Sequence, residues 1–333
     1  MTFGNLNDFV QPMIQQAKVL TVTLNPALDI WAEAERFCPE VKIRCEGARY
    51  EPGGGGVNVA RVIKEFGGEV AAFVVTGGPT GRWLVEMLSK AGIEVIAEEF
   101  EGSTRPSLHV MERSSRQLYR FVLPGIELSD RDMATIEGAL LSLISEAQPD
   151  YLVVSGSFPP GASPDFLPRI ARKCKDLGVR LVADTSGAAL VALVGAGAFL
   201  VKPDEEELVQ LSSALGWQHD TVEARAQALV ESGTAEVVVV TLGGEGGLLV
   251  SRDQQIRLPA LPVTKVSAVG AGDSFVAGLV LALARNSSLD GAFRHGMAAG
   301  AAAVATPGSG LALRSDFERL LALAEADGKK PRG

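Results

Sequence analysis

The sequence predicts a doubly wound, mostly parallel α/β sheet flanked by helices, with a small extra β-sheet as a lid. Three observations lead there. Short β-branched runs alternate with helix-length segments, two stretches show strand-like alternation with no covering helix, and glycine clusters fall where strands hand over to helices.

The apolar runs at 18–24, 69–76, 151–155, 179–184, 199–202 and 236–241 are short and rich in β-branched residues, chiefly Val, as strands buried on both faces should be. Between them, 57–66, 81–91, 129–146, 163–177, 205–215 and 221–232 carry helical patterns. The alternation breaks at 27–51 and 105–125, where runs such as SLHVMER and QLYRFVL read as a separate β layer. Placed at the carboxyl ends of the main strands, such a layer can close over a site or pair with another subunit. Residues 247–261 read as a hairpin. One domain over 18–325 is expected, with 1–17 as an N-terminal extension that has neither the basic start nor the continuous apolar stretch of a signal peptide.

Bulk properties narrow the function classes. The 333 residues carry a net charge of -9, a poor match to a general nucleic-acid binder, which needs a basic face. The three cysteines form no CxxC motif and no disulfide framework, as expected of a reduced cytoplasmic protein. No apolar run is long enough to span a membrane; the longest, 188–201, is interrupted by Gly195 and Gly197. No Cys/His cluster suggests zinc, and neither GxxxxGK[ST] nor a complete GxGxxG is present.

Four glycine or acid constellations carry the chemistry. In VGAGDSF, small residues at Gly270, Ala271 and Gly272 let backbone N–H groups converge at the start of an apolar helix, where the helix dipole favours anionic charge. Asp273 sits at that spot and can take a proton from an attacking hydroxyl, or it can simply cap the helix. In EPGGGGVNVAR, the run from Gly53 through Gly56 exposes bare backbone to a polar ligand and Asn58 offers a donor and an acceptor; a plain flexible loop is the alternative. In VKPDEEEL, Asp204 and Glu207 fall on one face of a first helical turn, suited to Mg²⁺ or to helix capping. In TLGGEGG, the glycines after a strand suit nucleotide phosphates or a hairpin turn.

These motifs occur in the order of the PfkB, or ribokinase-like, carbohydrate kinase family, which the chain resembles from about residue 19 to 320. GGGGVNVAR resembles its first signature, AVGAGDSFVAG its second, KPDEEEL its KPNxxE element and TLGGEGG its nucleotide loop. TLNPALD and TRPSLHV…QLYRFVLPG resemble the phosphosugar branch. The four glycines and RFVLPG are most similar to PfkB-type 6-phosphofructokinases.

The resemblance implies a ribokinase-like fold, MgATP as phosphoryl donor and a sugar phosphate as acceptor. The expected reaction is fructose 6-phosphate to fructose 1,6-bisphosphate. The alternatives are fructose 1-phosphate, tagatose 6-phosphate or an unphosphorylated sugar as substrate, or a non-catalytic regulator. By the same resemblance Gly270, Ala271, Gly272 and Asp273 form the anion hole and base. Asp29, Gly53, Gly54, Asn58 and Ser157 hold the sugar, and Lys42 and Arg105 face its phosphate or the transferring group. Lys202, Asp204, Thr241, Gly243 and Gly246 serve the nucleotide. Glu207 with Asp204 serves Mg²⁺, and Ser267, Val269, Ala303 and Gly308 hold a monovalent cation such as K⁺. A homodimer through the β lid is implied. The chain departs from the family pattern at Asp204, usually Asn, at Ala268, usually Thr, and at Thr306 and Gly310, where Asn and Arg are expected.

Overall fold

The computed structural model describes residues 18–306 and 310–328. The expected extension at 1–17 and the expected cation ligand Gly308 lie outside the described residues.

Chain order begins β1 (Val19–Thr23), β2 (Ala27–Ala34), β3 (Cys45–Gly53), α1 (Gly55–Glu65), β4 (Val70–Thr76), α2 (Gly78–Lys90) and β5 (Glu94–Glu99). It continues with β6 (Arg105–Glu112), β7 (Gln117–Val122), α3 (Asp130–Ala147), β8 (Tyr151–Ser155), α4 (Phe166–Leu177), β9 (Arg180–Asp184) and α5 (Gly187–Ala192). Then come β10 (Ala198–Val201), α6 (Glu205–Ala214), α7 (Val222–Glu231), β11 (Ala235–Thr241), β12 (Gly247–Ser251) and β13 (Gln255–Leu258). The chain closes with α8 (Ala271–Ala284), α9 (Leu289–Ala305) and α10 (Arg314–Gly328).

Nine strands form the main sheet in the order β13-β12-β11-β10-β9-β8-β1-β4-β5, in which β12 alone runs antiparallel to the others. The central strands β1, β4 and β8 are buried at every position because both faces are covered. On β1, β4 and β8, Val19, Val70 and Tyr151 face the core under α1, α8, α9 and α10. Their neighbours Leu20, Ala71 and Leu152 face the opposite core under α3, α4, α6 and α7. Strand order reverses at β1, which has β8 on one side and β4 on the other. The crevice outside the carboxyl ends of strands at such a reversal is where open α/β sheets take their ligands.

The second sheet, ordered β3-β2-β6-β7, is built from the two stretches that broke the alternation. Its β2 and β6 run parallel and are mostly buried, whereas β3 and β7 form exposed margins.

Differences from the sequence reading have physical causes. Helix α1 starts at Gly55 rather than at residue 57, because the last two glycines of the run form its first turn. Strand β5 was missed because EVIAEE is an edge strand with one polar face. The apolar stretch at 188–201 divides into α5 and β10, and Gly195 and Gly197, both with positive φ, make the turn between them.

Helix α8 is buried from Ser274 to Ala284, and it packs closely on α9 through a glycine. A Cβ on Gly278 would lie 2.7 Å from Ala299 Cβ and 2.7 Å from the His295 carbonyl oxygen. Gly138, on the exposed side of α3, has nothing within 4 Å of an added Cβ. Both substitutions remove the same backbone-entropy penalty, so sterics decide the sign. Gly138→Ala is expected to stabilise the protein by about 0.5–1 kcal/mol. Gly278→Ala is expected to destabilise it, by about 1–3 kcal/mol as for overpacking. Urea denaturation midpoints check both.

Candidate active site

Asp273 lies in the first turn of α8, after Gly270, whose φ of 73° puts the backbone in the left-handed region. Its carboxylate is buried, so it needs partners. Asn58 Nδ2 donates to Oδ2 at 2.9 Å, and Ser155 Oγ lies 3.5 Å from Oδ1. Ser155 Oγ also donates to Asp184 Oδ2 at 3.2 Å. Burial and the nearby Asp184 carboxylate push the Asp273 pKa up to about 6, against the lowering effect of Asn58, Lys202 and Ser155.

The glycine run explains how Asn58 arrives. A Cβ on Gly55 would stand 2.4 Å from Ser155 Oγ, and one on Gly56 would stand 2.6 Å from both Thr23 Oγ1 and the Val22 carbonyl oxygen. The start of α1 is therefore pressed against the ends of β1 and β8, at a distance that side chains forbid. This excludes the flexible-loop reading.

Lys202, at the end of β10 and 5% exposed, pairs through Nζ with Asp184 Oδ1 at 2.9 Å. Burial works against its charge, yet Asp184, Glu207 and Asp273 together hold its pKa above the ordinary value. The ammonium also lies against the α8 start, 3.5 Å from where a Gly272 Cβ would be. Around this one cation stand three carboxylates, Asp184, Glu207 and Asp273. That surplus of negative charge fits a divalent cation brought in with the nucleotide. Among the described residues, no group of three or more His, Cys, Asp or Glu side chains is arranged to hold a metal by itself.

Asp204 and Glu207 form a capping box on α6. Asp204 Oδ1 accepts from the Glu207 N–H at 2.8 Å, and Glu207 Oε2 accepts from the Asp204 N–H at 2.9 Å. The capping alternative is thus realised, with one oxygen of each carboxylate engaged in it. Glu207, half-buried with its pKa raised mainly by burial, retains a second oxygen and an electrostatic link to Lys202 and Asp184.

Asp204 also lines a cleft of about 1100 Å³ together with Thr241, Gly243, Gly246, Ala271 and Gly272. Val209, Leu261, Pro262, Met297 and Val304 supply its apolar wall, suited to a flat base, and Ala268 lines it too. Gly246 (φ 106°) could carry no side chain, since a Cβ would fall 2.0 Å from the Leu258 carbonyl oxygen. The 266–269 loop is tied to the end of α9 by the Val266 and Ser267 N–H groups, both donating to the Val304 carbonyl oxygen. Ser267 is thereby held against Val304, Ser267 Oγ accepts from the Val269 N–H at 3.2 Å, and the Ala303 carbonyl oxygen accepts from the Thr306 N–H.

On the other side of Asp273, the small sheet presents Asp29. A Gly53 Cβ would stand 2.2 Å from Asp29 Oδ2, so this carboxylate lies directly on the glycine backbone. Gly54 follows at φ 108°. Arg105, which feels the Asp29 charge, donates to the Asn25 and Leu123 carbonyl oxygens at 3.3 and 3.2 Å, and its buried Nε has no partner. Burial pulls its pKa below the ordinary value, with Asp29 pulling it back. Ser157 Oγ accepts from Asn25 Nδ2 at 3.2 Å.

Lys42 stands apart from these residues within the chain. It is exposed in the β2–β3 connection and lines a cleft of about 340 Å³ with Glu33, Glu46 and Arg113, at the far end of the small sheet. From Asp29 to that end of β2 is five residues, or roughly 16 Å of strand.

Sequence reasoning missed Asp184, Ser155, Asn25 and His109. A signal existed for the first two, since each is the last residue of a predicted parallel strand, where ligands gather. Asn25 lies in TLNPALD and His109 in SLHVMER, and nothing in either run singled out that residue.

Comparison with known proteins agrees with this geometry. The profile described as pfkB family carbohydrate kinase matches residues 20–316. The chain is 40% identical over 306 residues to ATP-dependent 6-phosphofructokinase isozyme 2 of Escherichia coli, covering 92% of this chain and 98% of that one. It is 33% identical to a 1-phosphofructokinase of Xanthomonas campestris over 270 residues, 80% of this chain and 84% of that one. Solved structures of phosphofructokinase-2 from E. coli superpose closely. The potassium complex has a TM-score of 0.85 at 37% identity, covering 93% of this chain and 100% of that chain. The fructose-6-phosphate complex has a TM-score of 0.83 at 36% identity and the same coverage. A tetrameric inhibited form gives 0.84 at 37% identity, again with the same coverage. With a buried carboxylate at a glycine-started helix, a large cleft beside it and a family match over nearly the whole described chain, the protein belongs to the pfkB family of carbohydrate kinases, phosphotransferases with an alcohol group as acceptor.

Proposed function

We propose that the protein is an ATP-dependent 6-phosphofructokinase that converts fructose 6-phosphate to fructose 1,6-bisphosphate. The observation that carries the reading is the Asn58–Asp273 hydrogen bond, which fastens the glycine-run helix to the helix bearing the base. It sets Asp273 between the large cleft and the Asp29–Arg105 side of the small sheet. The fructose-6-phosphate complex of the E. coli relative supports the choice of acceptor.

In the proposed mechanism the sugar lies on Gly53 and Gly54 with its hydroxyls on Asp29 and Asn58, and its phosphate meets Arg105. Thr241, Gly243 and Gly246 line the site of ATP. Asp273 accepts the proton of the C1 hydroxyl as its oxygen bonds to the γ-phosphorus, the bond to the β-phosphate oxygen breaks and ADP leaves. The N–H groups at Gly270, Ala271 and Gly272, with the α8 dipole and the Lys202 ammonium, stabilise charge on the transferring group. Mg²⁺ arriving with ATP would supply further charge neutralisation, held on the protein side by Glu207 and, through water, Asp204. A monovalent cation such as K⁺ would rest on backbone oxygens of Ser267, Val269 and Ala303, as the potassium complex of the relative supports. The small sheet acts as a lid that keeps water from the γ-phosphate.

Its exposed Phe121, Val122 and Leu123 suit pairing with a second copy, giving a homodimer. The tetrameric relative is compatible with such dimers as units. The three free cysteines suit a reducing compartment, and we assign the enzyme to the cytoplasm and to glycolytic carbon flow.

Asp273→Asn is expected to lower kcat by at least about 10² while ATP affinity stays near normal; near-normal turnover would remove the base assignment. With a folded-state pKa of about 6, the base is protonated and inactive below that pH. The acid limb of kcat/KM is therefore expected near pH 6 in the wild type. A raised carboxylate pKa also means that the folded state binds this proton more tightly than the unfolded chain, so the buried charge costs stability as pH rises from about 4 through 6. Asp273→Asn is accordingly expected to raise Tm at pH 8 and not at pH 4. A coupled ADP-release assay with fructose 6-phosphate, fructose 1-phosphate, tagatose 6-phosphate, fructose and ribose should show the highest kcat/KM for the first. A preference for fructose 1-phosphate would reassign the acceptor within the family.

A further inference from the structure

The acceptor side of the site contains a buried histidine that the mechanism does not use. His109 is 2% exposed on β6, paired in register with Trp31 of β2. Its ring stacks on the Trp31 indole with centroids 4.1 Å apart and planes 8° apart. Alternation along the two parallel strands puts Asp29 and Trp31 of β2, and Ser107 and His109 of β6, on one face. There His109 Nε2 lies 3.5 Å from Asp29 Oδ1 and 3.0 Å from Ser107 Oγ. The other ring nitrogen, Nδ1, is buried with no partner.

The unpartnered Nδ1 indicates where the proton sits. A bare lone pair in an apolar wall costs less than an orphaned N–H, and a lone pair on Nε2 would be repelled by the Asp29 carboxylate. Both effects favour the neutral tautomer with hydrogen on Nε2, donating toward Ser107 Oγ and Asp29 Oδ1. Asp29 is then fixed on two sides, by His109 at Oδ1 and by the Gly53 backbone under Oδ2, where a Cβ would intrude to 2.2 Å.

We propose that His109 is the positioning residue for Asp29, using the Trp31 stack to hold its Nε2–H at one carboxylate oxygen so that the other stays turned to the hydroxyls of the sugar acceptor. This rests on Asp29 binding the acceptor, as proposed above. The role is one of orientation: His109 transfers no proton in the reaction.

Three measurements on the full-length enzyme test it. First, His109→Phe keeps an aromatic ring on Trp31 but removes the nitrogen. The expected result is a KM for fructose 6-phosphate raised about tenfold, the loss of roughly one oriented hydrogen bond, with KM for ATP unchanged. His109→Gln, which restores an N–H at similar reach, should recover part of the loss. Second, in an Asp29→Asn background His109→Phe should add little, because its effect passes through the carboxylate. Third, ¹⁵N NMR of the imidazoles in the substrate-free enzyme should show His109 as the Nε2–H tautomer, with its shift altered by Asp29→Asn. An unchanged sugar KM in His109→Phe alongside a raised KM in Asp29→Asn overturns the proposal, as does an equal further loss in the Asp29→Asn background or an Nδ1–H tautomer. If Asp29→Asn itself leaves the sugar KM unchanged, the acceptor-site reading of Asp29 fails and the positioning role falls with it. The NMR result then still reports whether the His109–Asp29 contact exists.

Discussion

A carboxylate cannot be buried without compensation, and at Asp273 the fold is arranged around that requirement. The charge sits at the positive end of α8, takes a hydrogen bond from Asn58 and lies within reach of Ser155 and the Lys202 ammonium. Each compensating group comes from a different element: α1, β8 and β10. The site therefore exists only when these elements are docked, and the docking depends on glycines whose missing side chains let α1 close on the ends of β1 and β8. Partial compensation suits the base proposed for this site. A fully satisfied carboxylate would be too weak a base, whereas one raised to about 6 is mostly ionised at neutral pH and still basic enough to receive a proton.

The same logic organises the surroundings. Lys202 is neutralised by Asp184, Asp184 is hydrogen-bonded by Ser155, and Ser155 reaches toward Asp273, so one network links the ends of β8, β9 and β10 to α8. Carboxylates outnumber the cation there, an imbalance suited to a divalent cation accompanying the nucleotide. On the acceptor side, Asp29 and Arg105 balance one another, with Gly53 again allowing backbone to lie against a charged group. Phosphoryl transfer asks a protein chiefly to position charge, and here the positioning comes from strand ends and bare backbone.

How much of this was legible varied with the physics behind each feature. Strands buried on both faces announce themselves as continuous Val-rich runs, so six of the main-sheet strands and the helices between them were readable. Edge strand β5, with one polar face, was not. Gly53 through Gly56 were legible as a special segment, but their reason was only half visible: a sequence can suggest ligand contact with bare backbone and cannot reveal that Ser155 and Thr23 occupy the space where side chains would be. Asp204 and Glu207 illustrate a true ambiguity, since three-residue spacing of acids serves a capping box and a metal equally well, and the hydrogen bonds show the capping box.

By itself the sequence determined the period of every central element, the two glycine turns that begin α1 and α8, and the identity of the carboxylate between them. These are local properties, set by the side-chain pattern and by φ/ψ freedom within a few residues. Tertiary structure decided everything that joins residues distant along the chain. It brought Asn58 to Asp273 across 215 positions and Ser155 to it across 118, and it set Lys42 at the far end of the small sheet from Asp29. The electrostatic character of Asp273 was likewise decided there, because a pKa responds to burial and neighbouring charge, and both are fixed only once the strands and helices have packed.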